Sequence, residues 1–221
     1  MRVCGFHPSP GMRLLGLAFP GKCLVCGQVS PGGPDLCPAC QEKLAPTPLG
    51  RDIGFPAVAP FPYREGVQPA LWRLKFHGER SWAAPLARWM ADAAVREGFP
   101  ADGVAWAPMS PKKKRRRGYD QAELLARRVA RLLGIPALRL LTPTRETATQ
   151  HDLSREERFQ NVAGAYAALP GAAGKRLWLV DDILTTGATM ISCGDALKRA
   201  GALEVRGLAA AMDVLEREEK S

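Results

Sequence analysis

Two groups of residues in this 221-residue chain have types and spacings suited to chemistry. The first is Leu177-Trp178-Leu179-Val180-Asp181-Asp182-Ile183-Leu184-Thr185-Thr186-Gly187-Ala188-Thr189. Its four leading apolar residues read as a strand that delivers two adjacent carboxylates at its C-terminal end, where open α/β sheets place their ligands. Residues rich in Thr and Gly then turn the chain into a helix. Gly187 permits a tight turn, and the successive backbone N–H groups there, through Ala188, make an anion-binding nest at a helix start. Thr185, Thr186 and Thr189 add hydroxyl donors. Carboxylates beside such a cradle suit a sugar phosphate, whose hydroxyls meet the acids while its phosphate meets the turn. Apolar residues ending in Asp-Asp also occur in the magnesium-binding strand of ATPases, but that reading needs a Gly-x4-Gly-Lys-Ser/Thr loop, which this sequence lacks. An ordinary strand-to-helix turn capped by Thr would not require two acids.

The second group is Cys23-x2-Cys26-x10-Cys37-x2-Cys40. Two Cys-x-x-Cys knuckles bring four thiolates toward one point, which suits tetrahedral zinc, and Pro31, Gly32, Gly33 and Pro34 supply the turns that fold one knuckle onto the other. A disulfide framework is the weaker alternative in a chain read as cytoplasmic, and a redox dithiol needs only one such pair. Four thiolates leave no open coordination position, so the zinc is expected to be structural. Cys4 and Cys193 stand apart, and His7, His77 and His151 have neither metal spacing nor a nucleophile partner.

The elements that must hold these groups follow from composition and periodicity. At 46 % hydrophobic and 24 % charged the chain is ordinary for a globular protein. The apolar stretch Leu14 to Phe19 is far short of the roughly 20 residues a spanning helix needs. Lys22 directly before Cys23 also argues against a processed secretory leader, so a cytoplasmic location is expected. Lys and Arg number 31 against 22 Asp and Glu, for a net charge of +9. Lys112 to Arg117 are all basic, so the excess is a local patch suited to phosphate or nucleic acid.

Residues 1–19 read as an N-terminal arm, 20–48 as the Cys4 knuckle closed by a short helix over Pro38 to Leu44, 57–213 as the main domain, and 214–221 as a solvated tail. Within the main domain the pattern predicts a strand near Ala57 to Tyr63, then helices around Pro69 to Phe76 and Trp82 to Arg96. A strand over Gly103 to Ala107 and a helix over Gln121 to Leu133 follow. Beyond Ala137 to Leu141 come the strand Leu177 to Val180, a helix from Ala188 to Ala200, and a last strand over Val205 to Ala211. In the Gln121 helix, Asp120 is placed to cap with Glu123 three residues on, and Gly134 closes the far end. Strands alternating with helices predict an α/β fold with a parallel sheet covered by helices on both faces. Lys112 to Arg117 reads as a basic loop that covers a phosphate ligand, grips nucleic acid, or is simply solvated. Tyr119 is the only aromatic near it, so no base-stacking platform is evident from this stretch.

The Asp181-to-Thr189 segment resembles the phosphoribosyl-pyrophosphate (PRPP) loop of type I phosphoribosyltransferases. The chain further resembles the ComF family of competence-associated phosphoribosyltransferase-like proteins. The double knuckle, Tyr63, Leu74-Lys75-Phe76-x-Gly78 and Arg116-Arg117-Gly118-Tyr119-Asp120-Gln121-Ala122-Glu123-Leu124-Leu125-Ala126 carry that likeness. It continues through Arg145, Thr149-Gln150, Leu153-Ser154, Arg158, Asn161 and Gly164, covering residues 12–211. The chain departs from the family pattern at Asp120, where Asn is usual, and at Pro108-Met109-Ser110-Pro111.

The resemblance implies a type I phosphoribosyltransferase-like sheet with a small N-terminal Cys4 zinc knuckle, binding PRPP with magnesium. In that reading Asp181 and Asp182 are catalytic and orient the ribose hydroxyls, while Thr185, Thr186, Gly187, Ala188 and Thr189 hold the phosphate. Lys75, Arg116, Arg117, Arg145 and Arg158 are candidates for neutralising pyrophosphate. It further implies phosphoribosyl transfer to an unknown acceptor in the service of DNA uptake. The alternatives are a non-enzymatic adaptor that binds single-stranded DNA or a competence helicase while retaining the PRPP-binding fold, and a PRPP-responsive regulator.

Overall fold

The computed structural model describes residues 21–30, 36–64, 66–145, 162 and 164–214. The N-terminal arm, residues 149–161 of the family pattern with Arg158 and His151, and the tail beyond residue 214 lie outside the described residues, as do Cys4 and His7.

The knuckle begins with a two-residue antiparallel pair, β1 (Gly21–Lys22) and β2 (Val29–Ser30). It ends with helix α1 (Pro38–Lys43), where Pro follows the N-cap residue Cys37 and needs no backbone donor. Chain reversal between Cys23 and Gln28 is closed by Cys23 N–H donating to Gln28 O at 2.7 Å and Gly27 N–H donating to Cys23 O at 2.9 Å.

Beyond it lies a six-stranded sheet: β3 (Leu49–Asp52), β4 (Pro56–Ala59), β5 (Phe61–Pro62), β6 (Gly103–Trp106), β9 (Arg176–Leu184) and β10 (Glu204–Met212). The order is β3-β4-β10-β9-β6, with β5 continuing beside β10. All pairings are parallel except β3 with β4. The strand expected over Ala57 to Tyr63 is thus split at Pro60, which has no N–H to place in a ladder. The antiparallel edge strand β3 has no counterpart in the pattern reading, because its four residues are only half covered and carry no apolar run.

Helices α2 (Gln68–Phe76), α3 (Ala83–Arg96) and α5 (Gln121–Leu133) cover one face of the sheet, and α6 (Ala188–Arg199) covers the other. Strand alternation sorts the two cores. Trp178 and Val180 of β9 face α3 and α5, whereas Leu177 and Leu179 face α6. Leu86, Met90 and Ala94 of α3 pack with Leu125, Ala126 and Val129 of α5 at helical spacing. Each such fully buried Leu, Val or Met contributes about 1.5–3 kcal/mol. Leu36, Cys37, Cys40 and Leu44 of the knuckle belong to the same core as Val67, Leu71 and Leu74 of α2, so the knuckle is welded to that helix.

The basic run is not a loop. Pro111–Arg117 forms helix α4, with Ser110 Oγ accepting from Lys113 N–H at 3.4 Å and Gly118 ending it at φ +81°. The pair β7 (Leu141–Pro143) and β8 (Tyr166–Ala168) forms a separate antiparallel ribbon; Ala137 makes only a single bridge to Val104.

Candidate functional site

Asp181 and Asp182 do not follow β9 but lie within it, because its ladder with β10 runs on to Leu184 and Met212. Neighbouring residues of a strand point to opposite faces, and the two acids consequently have different surroundings. Asp182 faces α2, where Lys75 Nζ lies 3.4 Å from its Oδ2. Asp181 faces the α6 side near Cys193 and Tyr166, whose pKa values are raised chiefly by burial and further by this acid. Each carboxylate also accepts from the chain itself: Asp182 N–H donates to Asp181 Oδ1 and Ile183 N–H to Asp182 Oδ1, both at 2.8 Å.

These surroundings set the charges. Burial, and then the neighbouring Asp182 carboxylate, hold Asp181 well above the ordinary carboxylate range, although the Asp182 N–H and Lys75 pull the other way. The Asp182 carboxylate raises the Lys75 pKa against the opposing effect of burial, so this ammonium stays charged. The two neighbouring acids thus differ: Asp182 is paired with the Lys75 ammonium, and Asp181 is pushed toward its protonated form.

After β9 the turn through Thr185, Thr186 and Gly187 leads into α6. Gly187 stands at φ +86°, a conformation that suits Gly, and a side chain there would also press on Ile53 at 3.2 Å. Thr186 Oγ1 accepts from Ala188 N–H at 3.3 Å, and Thr189 shares a hydrogen bond with the Tyr166 hydroxyl. Arg51, from edge strand β3, donates from Nη2 to Thr185 O at 2.5 Å. Arg51 and Tyr166 had no signal in the sequence: each is an isolated residue on a short strand, linked to the turn only by folding.

The Arg116–Ala126 stretch and Leu74-Lys75-Phe76 are far apart in sequence, and the structure joins them. Tyr119 donates its hydroxyl to Leu74 O, Gln121 Nε2 donates to Lys75 O at 3.4 Å, and the Arg117 guanidinium lies 5.2 Å from the centre of the Phe76 ring. Arg80 in turn lies over the Tyr119 ring at 4.6 Å and donates to Gly118 O at 3.2 Å. Together these contacts fix the end of α2 and hence the position of Lys75. Asp120 has two tasks: Oδ1 accepts from Glu123 N–H at 3.1 Å, capping α5, and Oδ2 accepts from Met109 N–H at 2.7 Å, holding the segment after β6. Burial raises its pKa despite those two N–H groups.

Of the basic candidates, Lys75 reaches the acids and Arg117 lies close enough for Asp182 to act on its charge. Arg116 is exposed on α4, and Arg145 is exposed just beyond β7. Lys114 pairs with Glu123 at 2.8 Å instead of projecting freely.

The four knuckle cysteines bring their Sγ atoms within 4.8 Å of one another, with Cys26 and Cys37 at 3.8 Å. Tetrahedral zinc with bonds of about 2.3 Å requires sulfur–sulfur separations of about 3.8 Å, so the donor set fits. Burial alone would raise the Cys23 thiol, but N–H groups of Cys26, Cys37 and Val25 outweigh it and bring its pKa down to about 6. Burial and the neighbouring sulfurs push Cys40 up to about 12. Such crowding of thiols is relieved by a cation that takes all four as thiolates.

Comparison with known proteins agrees with this arrangement. Residues 120–221 match the phosphoribosyl transferase domain family, and residues 14–56 match the double zinc ribbon domain family. The DNA utilization protein YhgH of Salmonella typhimurium is 31 % identical over 206 residues, covering 87 % of this chain and 90 % of that protein. Competence protein F of Haemophilus influenzae is 27 % identical over 226 residues, covering 87 % and 98 %. A solved glutamine PRPP amidotransferase from B. subtilis aligns at 25 % identity and a TM-score of 0.40, over 57 % of this chain. The chain spans only about a quarter (26 %) of that enzyme, and so loose a match carries no argument. With both domain families matched in order and a relative of this identity aligned over nearly its whole length, the chain belongs to the ComF family of competence-associated phosphoribosyltransferase-like proteins.

Proposed function

We propose that the chain binds PRPP with magnesium at the C-terminal end of β9 and transfers its phosphoribosyl group to an acceptor, in the cytoplasm and in the service of DNA uptake. One observation carries this reading: two carboxylates with unequal surroundings lie near the C-terminal end of a central parallel strand, with two residues between them and a Thr- and Gly-rich turn at the start of α6. In this reading the turn holds the 5′-phosphate through backbone N–H groups and the hydroxyls of Thr185, Thr186 and Thr189. Asp181 and Asp182 accept from the ribose hydroxyls, and Lys75 and Arg117 face the pyrophosphate. The carboxyl oxygens of the two acids suit magnesium, whose preference is for oxygen ligands and phosphate. Magnesium would supply neutralisation of the leaving pyrophosphate. As the bond from the sugar C1 to the pyrophosphate oxygen breaks and the bond from C1 to the acceptor forms, positive charge develops on the sugar. The acid pair beside the sugar favours that charge electrostatically.

The test is pyrophosphate release from PRPP over a panel of acceptors that includes single-stranded DNA. Release with one of them, lost in Asp181→Asn, supports transfer; PRPP binding without release from any acceptor supports the second reading. That reading is an adaptor that keeps the PRPP-binding fold and handles single-stranded DNA or a competence helicase. It is favoured by the exposed side chains of Lys112, Arg115 and Arg116 on α4 and by the DNA-related names of the relatives.

A further inference from the structure

Helix α2 buries Ala70, Leu71 and Leu74 and leaves Trp72 and Phe76 in solvent, 47 % and 49 % exposed. They are one helical turn apart, with ring centres separated by 4.2 Å and planes inclined at 46°, so they form one continuous aromatic surface. A row of cations borders it on the α4 side, and Arg73 stands on the other. Arg117 lies against the Phe76 ring and ends α4, whose Lys112, Arg115 and Arg116 are exposed. Beyond Trp72 opens a cleft of about 780 Å³ whose wall includes Tyr63, Arg73, His77 and one acid, Glu79; Arg73 also donates from Nη1 to Leu24 O at 3.1 Å. Two large rings kept in water beside a row of positive charges match a ligand that alternates flat rings with negative charges. An unpaired nucleic-acid strand is such a ligand, since its bases stack on aromatic side chains while its phosphates meet Lys and Arg. A duplex hides its ring faces and gains nothing from the aromatic pair.

We propose that the Trp72–Phe76 face of α2 is a stacking platform for the unpaired bases of single-stranded nucleic acid, with Arg73 and the cations of α4 on its phosphates. The basic run lacks aromatics of its own; folding brings them from a segment some forty residues earlier. The inference rests on the DNA-handling part of the proposed function and not on phosphoribosyl transfer.

The test uses the full chain and fluorescence anisotropy with labelled oligothymidine, an abasic strand of the same length and the corresponding duplex. Oligothymidine is expected to bind more tightly than either of the others. Trp72→Ala weakens oligothymidine binding about tenfold, leaves abasic binding and the salt dependence unchanged, and Trp72→Phe restores most of the loss. Since Trp72 is half-exposed, its variants are expected to fold, which thermal melts check. Equal affinity of wild type for oligothymidine and the abasic strand, or for oligothymidine and duplex, overturns the proposal, as does wild-type affinity of Trp72→Ala for oligothymidine. PRPP titration of Trp72→Ala separates the two readings: unchanged PRPP affinity with weakened strand binding supports the platform, and loss of both assigns Trp72 a structural role and overturns it.

Discussion

Lys75 Nζ lies 3.4 Å from Asp182 Oδ2, joining the end of α2 to the carboxylate pair of β9. Asp182 raises the Lys75 pKa, so this pairing adds stability that is fully present below the ordinary Lys value of about 10.4 and is lost as pH rises through the raised one. Ion pairs still partly open to solvent contribute about 1 kcal/mol or less. Lys75→Met is therefore expected to cost little stability but to weaken PRPP about tenfold or more, since a hydrogen bond to a charged group is worth about 1.5–3 kcal/mol. Unchanged PRPP affinity by calorimetry would remove Lys75 from the site.

Asp181 should show linkage of the same sign in a lower pH window. Its folded pKa stands above the unfolded value of about 3.9, so the folded chain holds more protons and loses stability as pH rises between the two. Asp181→Asn is expected to raise the melting temperature at pH 7 and to have no such effect near pH 3, while weakening PRPP. Thermal melts at the two pH values check this; a lower melting temperature at pH 7 contradicts it.

Asp120 holds both the start of α5 and Met109. Asp120→Ala removes both acceptors and is expected to destabilise by about 1–2 kcal/mol, typical of a lost helix cap. Asp120→Asn has one acceptor oxygen and keeps the cap or the Met109 contact but not both, so denaturant melts should rank it between wild type and Ala.

Much of this arrangement was legible before folding. The Asp181-to-Thr189 segment has local signals for a strand, a turn and a helix start, and the cysteine spacing alone points to a tetrahedral metal site. The cap of α5 by Asp120 and its end at Gly134 follow from side-chain chemistry within one turn. What depended on distant contacts was hidden. Arg51 reaches Thr185 from an edge strand without periodicity, and Tyr119 and Gln121 fix carbonyls of α2. The helix over the Lys112–Arg117 run is different: its bounds Ser110, Pro111 and Gly118 are local signals, outweighed in the sequence by the run of like charges.

Zinc is expected at one ion per chain by elemental analysis. Because knuckle and α2 share a core, and Arg73 Nη1 donates to Leu24 O at 3.1 Å, chelation should loosen the end of α2 as well as the knuckle. Hydrogen exchange should then rise in residues 68–76 but not in β9 or β10; exchange confined to the knuckle would contradict the coupling.

The most direct measurement is calorimetric titration of PRPP, with magnesium, into wild type and the Asp181→Asn, Asp182→Asn double variant. The account predicts binding to wild type and a loss of about 100-fold or more in the folded double variant, from two charge-assisted hydrogen bonds of about 1.5–3 kcal/mol each. Equal affinity of the two proteins, or no binding to wild type, would contradict a PRPP site at the end of β9.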